Sequence, residues 1–385
     1  MLNLISLLIY TFFLTFANAE KFSDYQNYKK TEINLKIKKI SENKLNYPWG
    51  ITFLDQENLL ITEKGGRLLK INTKSGEITT INHNIPIIKP SSGQGGLLDV
   101  LSHSDGNIYF TYSHDFQKIT KDNNSTKKSS TSIARGKLIG NEIKDFEILF
   151  IAKPRLKINK HWGARIAIKD DYLYVGLGDR DKGMISQNPQ KHPGSIIRIK
   201  IDGSIPRDNP SFKGYEEWLP EIYQIGLRNP QGITVSPFNN EIYFSQHGPM
   251  GGDNIGKVKF AGNLGWKNIA WGGKEYSGKK IGKSAYNSNY DKPLISWVPS
   301  IAVGNISFYK GKVFPEWDQN LLISASKTKM LFRLNFKNDE ILEEEIIIRD
   351  EKEIGRIRDF EIDADGNIFL ISDEPRSSLW KIYRN

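Results

Sequence analysis

A histidine and an aspartate bracket one stretch of this chain, His161 to Asp179: HWGARIAIKDDYLYVGLGD. Ile166 and Ile168 alternate with small or charged residues, Asp170-Asp171 turns the chain, and Tyr172 to Leu177 alternates again, which predicts a two-stranded hairpin. A hairpin brings its open ends together, so the imidazole and the carboxylate can meet at one rim. The carboxylate would fix the imidazole tautomer and stabilise the imidazolium, as a general base requires. A histidine hydrogen-bonded beside a turn aspartate, with no chemistry, would show the same spacing.

Other loops carry binding chemistry. In Gly226-Leu227-Arg228-Asn229-Pro230-Gln231-Gly232, the Arg-Asn-Pro turn aims a guanidinium and an amide at one spot, which suits a carbonyl or carboxylate. An arginine satisfying loop carbonyls is the plainer alternative. In His247-Gly248-Pro249-Met250-Gly251-Gly252-Asp253, backbone carbonyls of Gly248 and Pro249 offer ligands for a hard cation such as calcium, or else make a rigid turn. Arg356 and Arg358 are two apart and share one strand face. With Arg228 and Lys327 they would form a cationic pocket if the fold converges them, and scattered surface charge if it does not. Ser92 to Asp99 (SGQGGLLD) is glycine-rich, but no Lys-Ser/Thr follows it. It therefore reads as a tight turn presenting Gln94 rather than a phosphate loop. Asp363-Ala364-Asp365-Gly366-Asn367 resembles a calcium loop but reads as a hairpin turn, because its glycine is misplaced for an EF-hand.

The elements that must position these residues repeat. A turn followed by an apolar strand returns six times, at 58–63, 106–112, 171–176, 240–245, 320–324 and 366–371. Further strands stand between the returns, and no long stretch shows a 3.6-residue period. Units of this size predict an all-β fold, a six-bladed β-propeller of four-stranded antiparallel blades. A pair of β-sandwiches is the structural alternative. Residues 20–45, polar and lysine-rich, read as a leader and a first edge strand, and 118–130 as a solvated loop.

Composition narrows the function classes. Of 385 residues none is cysteine, which removes disulfides, thiolate metal sites and cysteine nucleophiles. The net charge is +10, yet the lysines are scattered and no basic helix or aromatic-basic RNA motif is present, which argues against nucleic acid. Residues 2–16 are largely apolar, and Ala17-Asn18-Ala19 has the small-x-small form of a signal-peptidase site, so 1–19 reads as a signal peptide and 20–385 as the propeller domain. No Lys or Arg precedes the apolar run, so an uncleaved anchor stays open. No later stretch is apolar enough to cross a bilayer, and the expected location is periplasmic or secreted. With no dinucleotide fingerprint, any redox chemistry needs a bound cofactor.

Together these loops resemble the soluble quinoprotein sugar dehydrogenases, the glucose/sorbosone dehydrogenase group. The resemblance covers nearly all of 20–385. It rests, in family order, on PWGITF, GQGGLLDV, HWGARI, LGD, DGSIPRDNPSF, GLRNPQG, QHGPMGGD, NLGW, WVPS, SASK and GRIRDF. It implies a six-bladed propeller holding pyrroloquinoline quinone (PQQ), a three-carboxylate ortho-quinone, with calcium on the top face. By resemblance, His161 is the base that takes the proton of the sugar's anomeric hydroxyl, Asp179 orients it, and hydride passes to the quinone, giving an aldonolactone. Arg228 polarises the quinone oxygen. Gln94, Asn229, Lys327, Arg356 and Arg358 match cofactor-holding positions, Trp297 matches an aromatic wall, and Gly248 and Pro249 give backbone oxygens to calcium. The implied partners are a sugar and an electron acceptor, a cytochrome or a quinone. Asn254 and Leu264 depart from the family, which often has an acid and an aromatic there, and this puts a second, structural calcium in doubt.

Two other readings share the fold. A propeller whose top face only binds a ligand or protein needs no convergence of His161 with the cations. A lactonase-type hydrolase needs several acidic metal ligands in the central channel, for which the sequence supplies few candidates.

Overall fold

Each of the six returning apolar strands is the second strand of a blade in the computed structural model. The structure describes residues 22–88, 93–115, 128–337, 340–351 and 353–384, so the expected signal segment and most of the 118–130 loop lie outside the described residues. Six four-stranded antiparallel sheets form the six-bladed propeller: 48–81, 97–151, 163–225, 230–297, 303–349, and 357–383 completed by Lys36–Lys39. The inner strands neighbour one another in this order, and the sixth returns to the first.

The amino-terminal segment closes the ring. Lys36–Lys39 pairs antiparallel with Trp380–Tyr383 as the outermost strand of blade 6, so the expected edge strand joins the two ends of the chain. Upstream, Lys29–Lys30 adds a parallel strand to blade 5. These pairings cover outer edges that would otherwise present unpaired backbone groups. Among the described residues no helix is long and apolar enough to cross a membrane.

The motifs of the sequence are mostly the beginnings of inner strands. PWGITF, HWGARI, RNPQG and GRIRDF each lead into one, and all six inner strands shift register against their second strand near their start. Such bulges bend a strand and re-aim its side chains. The loops entering the inner strands and those joining second to third strands therefore share one face. Blades pack through apolar faces: Tyr243, Trp297, Phe332 and Ile323 fill the space between blades 4 and 5, and Leu173, Ile197 and Ile222 do so beside blade 3.

Polar groups knot the central channel. The Arg165 guanidinium, 3% exposed, donates to Asp99 Oδ1 at 2.9 Å and to Asp359 Oδ2, while its Nε reaches the Gln231 carbonyl at 2.8 Å. It also stacks 4.1 Å over the Trp49 ring. Below it Glu361 faces a cavity of about 230 Å³. Burial, then the Asp359 and Asp99 charges, push its carboxyl up to about 8. A carboxyl raised on folding stabilises the native state fully below its unfolded value, and that contribution is lost as pH rises toward the folded one. Glu361→Gln should therefore match the wild type near pH 5 and be more stable by at least about 1 kcal/mol at pH 8.5. Urea unfolding at the two pH values checks this, and equal curves at both would refute it.

Candidate active site

The predicted hairpin exists as Gly163–Lys169 paired with Tyr172–Leu177. Its open ends bring His161 Nδ1 to 2.7 Å from Asp179 Oδ1, both side chains buried. Asp179 is saturated on its other sides. Oδ2 accepts the Trp266 indole N–H at 2.7 Å and the Gly183 N–H at 3.2 Å, and Oδ1 also accepts the Asp181 N–H at 2.8 Å. Burial pushes this carboxyl up. The His161 hydrogen bond and charge, the indole and the Arg228 charge outweigh burial and hold it below the ordinary carboxylate value. An ionised Asp179 accepts the hydrogen bond of Nδ1–H, which leaves Nε2 as the acceptor.

The backbone holds the ring in place. His161 has φ 47°, the sparsely populated left-handed region, where strain concentrates at functional positions. Its N–H donates to Gln94 Oε1 at 2.8 Å, so Gln94 fixes the loop as well as facing the cavity. Asn229 Oδ1 accepts the Gly163 N–H at 3.1 Å. Gly178, of the LGD motif, passes so close beneath that an added Cβ would lie 2.1 Å from the His161 carbonyl oxygen and 3.0 Å from Asn229 Oδ1.

His161 opens onto a cavity of about 390 Å³ that Gln94, Arg228, Asn229, Gly248, Pro249, Lys327 and Arg356 also line. Eight of the predicted site residues thus converge from five blades. The cavity has three cationic side chains and, among the described residues, no carboxylate on its wall. Lys327 and Arg356 are exposed and have no acidic partner among the described residues. Arg228 lies 5% exposed between the Trp266 ring, 5.4 Å away, and the Gly248 carbonyl, to which it donates at 2.7 Å.

Two predicted residues sit elsewhere. Arg358 lines an adjoining inner cavity of about 160 Å³ rather than the main one. It is paired to Asp373 and bonds Gln231 Oε1 at 3.1 Å. Burial pushes the Asp373 carboxyl up, but Arg358 and Lys64 pull it well below the usual range. Trp297 is no cavity wall: its ring is 0% exposed, packs edge-on to Phe332, and its N–H donates to the Tyr28 hydroxyl at 2.6 Å. It is the last residue of an outer strand, and outer strands face the neighbouring blade and not the centre. The aromatic side chain on the cavity is Tyr276, 75% exposed.

Three residues without a role in the sequence reading belong to the site. Trp266, in NLGW, anchors Asp179. Asp253 holds the cavity wall, accepting the Gly248 N–H at 2.8 Å on Oδ1 and the Ser300 hydroxyl and Ile301 N–H at 2.8 and 2.9 Å on Oδ2. His247 lines both cavities, and its Nε2 is buried with no hydrogen-bond partner. Burial, then the Arg358 and Arg228 charges, hold this imidazole down at about 3, so it stays neutral. All three lie inside motifs already singled out, but their direction depends on non-local loops. The departing residues are engaged otherwise. Asn254 is buried in amide hydrogen bonds to Gln246 and the Gly252 carbonyl, and Leu264 packs in an apolar cluster.

The profile of the Glucose / Sorbosone dehydrogenase family matches residues 45–381. The chain belongs to that family. It is 32% identical over 353 residues to aldose sugar dehydrogenase YliI of Escherichia coli, spanning 89% of this chain and 91% of that one. It is 26% identical over 423 residues to quinoprotein glucose dehydrogenase B of Acinetobacter calcoaceticus, spanning 89% and 86%. The crystal structure of the soluble E. coli aldose sugar dehydrogenase in its apo form superposes with a TM-score of 0.82 at 30% identity, covering 91% of this chain and 100% of that one. The protein is thus an oxidoreductase of sugar dehydrogenase type.

A test of the local geometry follows from Gly178. In Gly178→Ala the methyl must displace the His161 carbonyl. Turnover should fall by about 100-fold, the scale of an ångström misplacement of a reacting group, with a stability loss of about 1–3 kcal/mol from overpacking. Sugar-dependent dye reduction and a thermal melt read the two effects. Unchanged turnover would mean that the His161 backbone need not stay where it is.

Proposed function

We propose that this family member is an exported PQQ-dependent aldose dehydrogenase that oxidises the anomeric hydroxyl of a sugar to the aldonolactone. One observation carries the reading: a cavity with three cations and, among the described residues, no wall carboxylate stands directly beside a buried histidine–aspartate pair. Lys327 and Arg356, without an acidic partner among the described residues, suit an organic polyanion, and the neutral His247, whose Nε2 has no partner among them, suits a polar ligand reaching the inner cavity. The name of the Acinetobacter relative, a quinoprotein, points the same way.

The residues present therefore fit PQQ. Arg228, Lys327 and Arg356 would face its charge, with Gln94 and Asn229 supplying amides. Arg358 would act from the inner cavity through its contact with Gln231. For calcium, the Gly248 carbonyl already accepts one hydrogen bond from Arg228, which leaves its second lone pair, and the Pro249 carbonyl lies beside it in sequence. When bound, the quinone with calcium supplies the two-electron acceptor for the sugar's hydride.

The chain's own part is proton handling and orientation. His161 Nε2 takes the anomeric hydroxyl proton while Asp179 stabilises the cation that forms on the ring. Arg228, buried and aimed at the cavity, stabilises negative charge developing opposite the base. Pro249, Met250 and Tyr276 give one side of the cavity apolar surface against which a flat ring could rest. The apolar amino-terminal run supports export to the periplasm or beyond, and the acceptor of the electrons would be a cytochrome or a quinone.

The deciding experiment titrates the purified protein with PQQ and calcium, then measures dye reduction with a panel of aldoses. Saturable binding and sugar-dependent reduction are expected. No PQQ binding at micromolar concentration with calcium present would overturn the reading in favour of a propeller that only binds a ligand. Binding without turnover on any aldose would discard the substrate class.

A further inference from the structure

The two faces of the propeller differ in charge. Turns from inner to second strands lie on the face away from the cavity. Five of these six turns, 54–57, 103–107, 170–171, 236–241 and 363–367, contain Asp or Glu and no Lys or Arg. The sixth, 309–320, has Lys310 and Lys312 with Glu316 and Asp318.

On the cavity face, acidic residues gather at 350–353 and 373–374, while two other stretches are cationic. The connection from blade 2 to blade 3, residues 152–162, holds Lys153, Arg155, Lys157 and Lys160 with no carboxylate, and includes His161. Lys160 pairs with Asp181 at 3.4 Å. Lys153 and Lys157 are exposed; the Glu221 carboxylate lies within electrostatic reach of Lys153, and neither lysine forms an ion pair among the described residues. Beside the cavity, an excursion of blade 4 folds as a small hairpin, with Lys274 bridged to Met250 on one side and to Lys280 on the other. Tyr276, near its tip, stands at the cavity rim. Its one carboxylate, Glu275, is taken by Lys267. Lys274, Lys279 and Lys280 are exposed, again with no acidic partner among the described residues.

We propose that this face docks an acidic one-electron carrier protein over the cavity mouth, held by the 274–280 hairpin and the 153–157 segment. The idea rests on the dehydrogenase reading for what the carrier does. The sugar gives up two electrons and two protons. Two oxidised carriers each gain one electron, ferric to ferrous in a haem protein, and the protons pass to solvent. A small quinone would enter the cavity and would need no cations on its outer rim, whereas a protein of opposite charge is steered by them. The acidic far face repels the same partner, so the charge asymmetry orients it.

The test uses an acidic c-type cytochrome as probe and the full chain without cofactor. Calorimetric affinity should fall at least about 30-fold between 10 and 300 mM salt, because exposed charges are screened over the longer range. K274E/K279E/K280E should weaken low-salt binding at least about tenfold, whereas K310E/K312E on the far face should change it less than about twofold. If charge reversal destabilises the hairpin, K274A/K279A/K280A should show a smaller loss in the same direction. With PQQ, calcium and sugar added, the triple variant should reduce this cytochrome about tenfold more slowly and a neutral dye at the wild-type rate. Equal effects of the two faces, equal binding of a basic cytochrome, or an unchanged cytochrome rate would each overturn the proposal. Absence of dye reduction in the wild type would sink the dehydrogenase reading instead, and the affinity measurements would still decide whether the surface exists.

Discussion

Replacing His161 with alanine should lower kcat for sugar oxidation by about 10³-fold or more, while PQQ affinity changes by less than about tenfold. General-base catalysis contributes about 10²–10⁴ in rate, and no other side chain on the cavity offers a comparably oriented acceptor. His247 is neutral because it is buried beside the Arg358 and Arg228 charges. It is therefore a poor substitute, since a base between two guanidinium groups gains a proton only at high cost. Asp179→Asn should show the intermediate signature. Asn can still accept the Trp266 N–H and the Gly183 N–H. Facing Nδ1 with an amide N–H, however, it favours the tautomer that has the proton on the wrong nitrogen. Stopped-flow reduction of the loaded enzyme separates this from a loss of binding. A His161→Ala protein that reduces at near wild-type speed would remove the residue from the chemistry, and the base would have to be sought elsewhere.

Much of this is legible in the sequence. The hairpin from His161 to Asp179 could be read because both signals are local: alternation of period two, and a turn at Asp170-Asp171. The six returns gave the blade number because each blade repeats one apolar second strand. Less legible was everything set by long connections. Trp297 looks like a wall residue in sequence, beside the WVPS turn, but its place on an outer strand sends the ring into the blade 4–5 interface. Arg358 reads as the twin of Arg356 on one strand face. The strand shifts register between Ile357 and Asp359, and Arg356 lines both cavities whereas Arg358 lines the inner one alone. Trp266 reaches Asp179 across 87 residues of sequence, and nothing local announces such a contact. The carboxylates that a lactonase-type hydrolase would need do occur in the channel, as Asp99, Asp359 and Glu361. Asp99 and Asp359 are turned onto Arg165, and no group of three potential ligands forms among the described residues.

That arginine carries the largest expected stability effect. Arg165→Ala should destabilise the propeller by about 3–5 kcal/mol, the usual cost of leaving a buried charge without its partner. The reason is topological as much as electrostatic. Asp99 belongs to blade 2, Arg165 to blade 3, Gln231 to blade 4 and Asp359 to blade 6, so one side chain ties four inner strands across the channel. Its removal leaves two buried carboxyls near each other, both already pushed up by burial and opposed by the guanidinium and by weaker backbone N–H bonds. The sign with pH follows. Without the arginine these carboxyls rise further, so the variant should be least impaired near pH 5, where they can take protons, and most impaired above pH 8. Arg165→Met restores volume but not charge and should recover little at alkaline pH. Adding Asp99→Asn and Asp359→Asn to it should recover more than half of the loss. Each amide keeps an oxygen for the Ile166 N–H at 2.8 Å or the Ile51 N–H at 3.2 Å, and no uncompensated charge remains. Urea unfolding of the four proteins at pH 5 and 8.5 supplies the comparison. If Arg165→Met alone were as stable as the wild type at pH 8.5, the knot would be packing rather than charge, and the stacking on Trp49 would have to explain why an arginine is there.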